Sequence, residues 1–202
     1  MTLLIPLVFF AFYQSYFKSF PKFSSRIHLY DHVHSTLAMT WILMLIIQPV
    51  LIQNRQYTLH RIIGKMSYVI FPMLIFSFIP REIVLFHSDD RRDLFFPVAD
   101  SFVLVPLFSL AIYSVYKKNI AFHMRYIISS ALVLLGPTVG RIGPKWLGWS
   151  AIFTQNVQYA IIYAVLITLI LYDGRNFKKS RPYMVAILLF FIHQLTFYLI
   201  FL

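Results

Sequence analysis

The sequence has no cysteine among its 202 residues, and only 12% of its residues are charged. The absence of cysteine excludes disulfide bonds, thiolate metal sites and cysteine-based catalysis. Soluble domains carry about a quarter of their residues as charged side chains, so the low charged fraction excludes an ordinary soluble protein. A hydrophobic content of 59% and a mean hydropathy of +0.73 indicate instead an integral membrane protein.

Acidic residues are also scarce: seven Asp and Glu stand against 18 Lys and Arg, which gives a net charge of +11. Such an excess is typical of nucleic-acid-binding proteins. Here, however, the basic residues fall in short gaps between apolar runs, as in loops beside lipid headgroups. The charge pattern therefore predicts the lipid bilayer as the partner and no nucleic acid, with a further membrane protein as a possible second partner.

The apolar runs set the fold class, because a membrane-spanning helix needs roughly 20 apolar residues. The sequence predicts an all-α, polytopic transmembrane helix bundle with about seven spans, in a single integral membrane domain over 1–202. It shows no convincing internal repeat. The first run is read as a retained span, and the distribution of Lys and Arg between loops favours an N-terminus inside. The predicted spans are 2–19, 33–53, 61–86, 95–116, 121–141, 148–172 and 182–202.

Two histidines begin parallel spans and are therefore expected at the same membrane face. His60 begins the third span in "LHR", and His123 begins the fifth in "FHMR". The positive end of a helix dipole disfavours imidazolium, and neutral imidazole is the form that ligates metals. The pattern predicts a b-type haem with His60 and His123 as axial ligands to the iron, and with Arg61 and Arg125 holding its propionates. The alternative is that all four anchor helix ends at the interface.

A second polar site is predicted at the other face. His34 begins the second span and His87 ends the third, while Asp100 lies about one turn inside the fourth. Arg141 ends the fifth span at the same face and is the expected partner of Asp100. Interfacial anchoring is again the alternative. A zinc site here would take its ligands from His32, His34, His87 and Asp100.

Two other histidine patterns have simpler interpretations. His193 lies in the middle of the seventh span with no carboxylate near it in sequence, which predicts a hydrogen bond between helices. The run "HLYDHVH" over 28–34 is similar to the spaced histidines of membrane di-iron enzymes, but the further histidine pairs that such enzymes need are absent.

Glycine and proline predict local features of the spans. Gly64 lies four residues after His60, on nearly the same helix face, where it allows a neighbouring helix or a flat ligand to approach the backbone. Gly136-Pro137 and Gly140 predict a break or kink in the fifth span.

Several of these residues form a recognisable pattern over about 34–181. The first element is a His that begins a span, a Gln that ends it, and "HRxxG" with a Tyr one turn later. The second is "HMRYIISSALVLLGPTVGRI", in which a span begins with His, Arg and an aromatic residue and ends at an Arg. The third is "YDGRNFKKSRP" after the sixth span. The matching residues are His34, Gln48, His60, Arg61, Gly64, Tyr68, His123, Arg125, Tyr126 and Arg141.

In these motifs the chain resembles an uncharacterised family of bacterial multi-pass integral membrane proteins. The resemblance implies the helical membrane fold, the pairing of the motifs and the bacterial cytoplasmic (inner) membrane. It implies no activity.

Four functions are compatible with the sequence. The first is haem binding for electron transfer or redox sensing, carried by His60 and His123. The second is a small transporter or permease-like protein, suggested by Asp100, Arg141 and Asn156 inside or near spans. The third is a zinc-dependent hydrolase acting on lipids. The fourth is a non-catalytic subunit of a membrane complex. Because nearly all of the chain is span, an enzyme acting by itself is the less favoured class.

Overall fold

A computed structural model of the chain describes residues 4–23, 27–87, 94–174 and 177–202. Over these ranges the regular secondary structure is helical, with no β-strand. The helices are α1 (Leu4–Tyr13), α2 (Leu29–Gln53), α3 (Tyr57–Phe76), α4 (Ile79–Phe86), α5 (Phe95–Tyr116), α6 (Ile120–Ala131), α7 (Leu135–Trp146), α8 (Ala151–Tyr172) and α9 (Phe177–Phe201).

Six helical segments in the described ranges are long and apolar enough to cross a membrane. They confirm the predicted all-α helix bundle, and the chain is a multi-pass membrane protein. In two of the six, a pair of helices runs on as one span, α3 with α4 and α6 with α7. The segments are Leu29–Gln53, Tyr57–Phe86, Phe95–Tyr116, Ile120–Trp146, Ala151–Tyr172 and Lys178–Phe201.

The first predicted span, 2–19, differs from the structure. Its helix, α1, is 10 residues long, or about 15 Å at ~1.5 Å per residue, roughly half of a ~30 Å bilayer core. The helix ends where polar Gln14 and Ser15 follow, and a short 3₁₀ turn comes at Phe17–Ser19. Residues 2 and 3 of the predicted span lie outside the described ranges.

The contacts divide the chain into two compact units, Met1–Leu94 and Phe95–Leu202. In the first, α2 and α3 form an antiparallel hairpin in which the rings of Trp41 and Phe71 lie 5.3 Å apart. In the second, α5 packs on α6 and α9, while α8 packs on α7 and α9. Its core includes the fully buried Leu107, Ile162 and Leu166. The single domain expected from the sequence stays a prediction.

The same tight turn joins α2 to α3 and α5 to α6. In each, a basic residue adopts the left-handed conformation: Arg55 with φ 58° and Lys118 with φ 55°. The next residue donates its N–H to a carbonyl five positions earlier, at 2.8 Å in both turns, as in a Schellman motif. His60 and His123 lie at the same place after their turns. The two hairpins therefore share a local geometry although their sequences show no clear repeat.

The predicted break in the fifth span is confirmed. A 3₁₀ turn at Leu132–Leu134 separates α6 from α7, directly before Gly136-Pro137. Pro137 has no N–H to donate, and its ring displaces the carbonyl four residues earlier, at Val133. The tighter turn relieves that clash at the junction of α6 and α7.

Candidate functional site

Three helices of the second unit bring an Asp, a His and a Tyr together. His193 on α9 has its Nε2 3.3 Å from Oδ1 of Asp100 on α5. Its Nδ1 lies 2.8 Å from the hydroxyl oxygen of Tyr159 on α8. At ~1.5 Å per residue, Asp100 lies about 8 Å along α5, and Tyr159 and His193 lie about 12 Å from the nearer ends of α8 and α9. The cluster is therefore inside the spans.

The three groups differ in their access to the surroundings. Tyr159 is 1% exposed and His193 is 5% exposed. The side chain of Asp100 keeps 20% of its surface exposed and is the most exposed of the three. Either ring nitrogen of a neutral imidazole can carry the proton, and the tyrosine hydroxyl can donate or accept to match it. One proton can therefore be held by Asp100 or by His193 without breaking the contact to Tyr159.

The backbone of Gly136 forms one wall of this cluster. A Cβ added at Gly136 would lie 3.4 Å from Nε2 of Gln158 and 3.5 Å from Oδ2 of Asp100, so both side chains reach the bare backbone there. The Oε1 atoms of Gln155 and Gln158 are buried and have no hydrogen-bond partner among the described residues. Buried acceptors without a partner are costly, and they are suited to a ligand that donates hydrogen bonds or carries positive charge.

A second set of polar side chains extends along α8 and α9. The Tyr163 hydroxyl donates to Oε1 of Gln194 at 2.8 Å, and Nε2 of Gln194 is 3.5 Å from the Tyr198 hydroxyl. Tyr198 in turn donates to Oδ1 of Asn156. Each of these four side chains is thus held by another of the set, which gives the two helices a hydrogen-bonded seam inside an apolar span.

Aromatic rings enclose the histidine. The His193 ring lies 5.1 Å from the ring of Phe95 and 5.8 Å from that of Tyr159, both edge-on. Phe197, one turn further along α9, packs against Phe95 and Tyr159 in the same buried cluster. These rings shield His193, which is 5% exposed, from water.

A buried ion pair lies at the opposite end of the second unit. Nε of Arg125 is 2.7 Å from Oδ2 of Asp173, and Nη2 is 3.1 Å from Oδ1, which is the bidentate geometry. Nη1 of Arg125 donates to the carbonyl of Ala121 at 2.9 Å. The hydrogen bonds from Arg125 hold the pKa of Asp173 below its usual range. With three of its N–H groups engaged, Arg125 fits poorly as a clamp for a haem propionate.

The two predicted haem ligands lie in different units, and each has its own surroundings. Nδ1 of His123 is 3.0 Å from the carbonyl oxygen of Ala111. A carbonyl can only accept, so Nδ1 carries the proton and Nε2 of the neutral ring keeps its lone pair, the arrangement that metal-ligating histidines use. His60 is half-buried, and its own carbonyl accepts a hydrogen bond from Nε2 of Gln48 at 3.3 Å. Arg61 is exposed.

The residues of the predicted second site are spread over both units. In the first unit, His34 has its Nδ1 2.8 Å from Oγ of Ser77, and exposed His87 has its Nδ1 2.7 Å from the carbonyl of Ile83. In the second, Arg141 donates from Nη1 to the carbonyl of Pro137 at 2.9 Å. Asp100 contacts His193 instead of the expected Arg141. The hydrogen bond between helices that the sequence predicts for His193 is made with Tyr159.

The predicted metal sites can be compared with the described side chains, whereas the family resemblance stays a prediction. Among the described residues, no group of three or more His, Asp and Glu side chains lies close enough together to hold a metal ion, and cysteine is absent from the sequence. Within those ranges the zinc and di-iron interpretations therefore have no ligand set. A haem needs only two axial histidines, so the haem site stays a prediction. No protein-family model, curated protein sequence or solved structure matches the chain.

Proposed function

We propose that the chain is a small proton-coupled transporter and that Asp100, His193 and Tyr159 form its proton-binding site. The observation that carries this proposal is the contact between an acid and a base inside the spans. Ionisable side chains at that depth are expensive, and they mark ion pathways and proton relays. The resemblance noted above supports a bacterial cytoplasmic membrane as its location.

The charge balance of the pair explains how a proton could be coupled to a solute. With one shared proton the pair is neutral overall, either as Asp100 carboxylic acid with neutral imidazole or as carboxylate with imidazolium. Loss of that proton leaves one negative charge inside an apolar span, which is unfavourable unless a positive charge or water replaces it. Proton release is therefore tied to the arrival of a compensating group.

The surrounding groups indicate the chemistry of that solute. The carboxylate of Asp100 is an acceptor, and so is the unpartnered amide oxygen of Gln158, whose side chain reaches the same stretch of backbone at Gly136. A small cation, or a neutral solute that donates hydrogen bonds, would satisfy them. An anionic solute would meet acceptors and a carboxylate, and is disfavoured.

Proton binding can be tested without knowing the solute. In purified protein, infrared difference spectra between acidic and alkaline pH should contain the carbonyl band of a protonated carboxyl group. Asp100→Asn should remove the contribution of the Asp100 carboxyl group to that band. Asp31→Asn is the matched control, because Asp31 lies in the first unit and pairs with the exposed Arg81.

The spectra have two decisive outcomes. A band that disappears with Asp100→Asn and persists with Asp31→Asn supports the proposal. Difference spectra that are identical in the wild type and in Asp100→Asn, in the carboxyl, carboxylate and imidazole bands alike, contradict it. The transport step is then tested with vesicles that contain the protein and a pH-sensitive dye, in which Asp100→Asn should abolish solute-dependent proton movement and His193→Gln should slow it.

A second candidate function is b-type haem binding for electron transfer or redox sensing. It is favoured by the equivalent places of His60 and His123 after two identical turns, and by the free Nε2 of His123. Haem would supply one-electron chemistry, while the chain would supply the two imidazoles; Arg61 remains a candidate for a propionate, and Arg125 is already engaged.

Absorption spectra of protein from haem-replete cells test this second candidate. A Soret band that is lost with His60→Ala or His123→Ala, and kept with the exposed control His87→Ala, would support it. A colourless preparation would refute it. A protein without haem and without the carboxyl band would be assigned as a non-catalytic subunit of a membrane complex.

A further inference from the structure

The second unit has a groove of about 510 Å³ between α5, α6 and α9. Three regular rows of side chains line it, because residues three or four apart share one helix face. Leu110, Ser114 and Lys117 belong to the row on α5, and Arg181 and Val185 belong to the row on α9. The groove therefore follows the helix axes.

The chemistry of the groove changes with depth. Lys117 directly follows the last residue of α5, and Arg181 lies in the second turn of α9, so both cations lie at the end of the spans. Leu110 is about 10 Å deeper than Lys117, and Val185 is about 6 Å deeper than Arg181, at ~1.5 Å per residue. The shallow end is basic and the deep end is apolar.

The positive charge at the shallow end has no acidic residue beside it in the described lining of the groove. Asp173, which lies at the same end of the unit, is engaged in the bidentate pair with Arg125. Lys117 also has its Nζ 5.5 Å from the centre of the Tyr113 ring, a cation–π distance that holds the amine beside the groove.

We propose that this groove binds an anionic glycerophospholipid. The phosphate lies between Lys117 and Arg181 at the level of the headgroups, and an acyl chain follows Leu110 and Val185 into the apolar end. Basic side chains at the ends of spans attract anionic lipids, and the apolar end gives an acyl chain contacts that inorganic phosphate cannot make. The site shares no residue with the Asp100 cluster, so it does not depend on the proposed transport function.

Photo-crosslinking of the wild-type protein tests this proposal. The protein is placed in phosphatidylcholine vesicles that contain a small, equal share of either phosphatidylglycerol or phosphatidylcholine with a diazirine on the acyl chain. Crosslinked positions are then mapped by peptide mass spectrometry. We expect crosslinks at Leu110 and Val185, with a yield about tenfold higher from phosphatidylglycerol.

Two double variants distinguish lipid binding in the groove from a general effect of positive surface charge. Lys117→Ala with Arg181→Ala should reduce the preference for phosphatidylglycerol at these positions to near unity. Lys178→Ala with Lys179→Ala removes the same charge from exposed residues outside the groove lining and should leave the preference intact. Equal yields from the two lipids in the wild type, or an equal loss of preference in both double variants, would overturn the proposal.

Discussion

The two units of the chain bury different kinds of side chain. In the first, the described buried residues are apolar apart from Ser67, and its ion pair between Arg81 and Asp31 lies at the surface, with Arg81 59% exposed. The second buries an arginine, a histidine, two glutamines and several hydroxyl side chains. These are Ser114, Arg125, Ser129, Ser130, Thr138, Thr154, Gln155, Gln158, Ser180 and His193.

The number of helices explains this difference. A polar group within a membrane must find a partner inside the protein, because lipid tails offer none. Within the first unit, α2 and α3 each pack on one other long helix, whereas α5, α6, α8 and α9 of the second unit each pack on two or more helices. The second unit can therefore hold polar groups, and it is where a proton or solute could be bound.

The largest expected effect on stability comes from breaking the buried ion pair of the second unit. Asp173→Asn leaves Arg125 with a neutral partner in a mostly buried position, and we expect a loss of about 3 kcal/mol in the free energy of unfolding. Thermal unfolding in detergent, followed by tryptophan fluorescence, measures it. The double variant Arg125→Leu with Asp173→Leu should recover much of the loss. If Asp173→Asn alone is as stable as the wild type, the pair contributes little to stability.

A packing test compares glycines in the two units. In the second, a Cβ on Gly143 would lie 2.5 Å from Oγ1 and 3.1 Å from Cβ of the buried Thr154, so Gly143→Ala should cost about 1–3 kcal/mol. In the first, a Cβ on Gly64 would meet Nε2 of Gln48 at 3.9 Å. Because that contact is ordinary, Gly64→Ala should stabilise α3 by up to ~1 kcal/mol.

Unfolding in detergent would measure both glycine variants. Thr154→Ala should largely rescue Gly143→Ala, because it removes Oγ1 and Cγ2, the two atoms that lie closest to the new methyl group. Equal effects of the two glycine substitutions would show that the second unit is no more tightly packed than the first.

The pH dependence of stability should also come from the second unit. The pKa of Asp173 is lower in the folded protein than its usual value because Arg125 donates to the carboxylate. Its contribution to stability is therefore complete above the usual aspartate pKa of about 3.9, and is lost as the pH falls through the lower folded value. Denaturation between about pH 5 and the acid limit should show this loss in the wild type.

The matching control for the pH prediction is Asp173→Asn, which should lack that part of the acid-dependent loss. If the wild type and the variant lose stability in parallel as the pH falls, the pair is not its source.

The smallest effect should come from the surface pair of the first unit. Arg81→Ala removes a contact of 3.4 Å in which the arginine is mostly in solvent, and exposed pairs contribute about 0–1 kcal/mol. The melting temperature should scarcely move and should be insensitive to salt. A loss comparable to that of Asp173→Asn would remove the contrast between the units.

Most of the fold was predictable because membrane spans leave a local signal. Each of the six long helices corresponds to an apolar run that can be counted directly, and the broken span was indicated by Gly136-Pro137. The length of α1 was not predictable, because the same apolar run is compatible with a long helix or a short one. Composition does not show at which residue the helical hydrogen bonds end.

The candidate site was predictable only in part. Asp100 was recognisable by itself, because a carboxylate inside an apolar run is unusual wherever it occurs. Its contact with His193 was not, because the two residues lie on helices that are far apart in sequence, and the expected partner was Arg141. Likewise, Arg125 was marked as functional by its motif, but its engagement with Asp173 depends on where α8 ends.

The sequence by itself determined the lipid environment of this protein, the approximate bounds of its six long helices in the described ranges, and the residue types available for chemistry, because hydrophobicity and chain-breaking residues act locally. It also predicted a seventh span over 2–19, where the structure has the short helix α1. The tertiary structure decided which helices pack against each other, and therefore which acidic side chain contacts which basic side chain. Those pairings depend on how the helices pack side by side. Lipid tails are as apolar as the helix surfaces, so side-chain fit and hydrogen bonds select the packing, and neither produces a periodic pattern in the sequence.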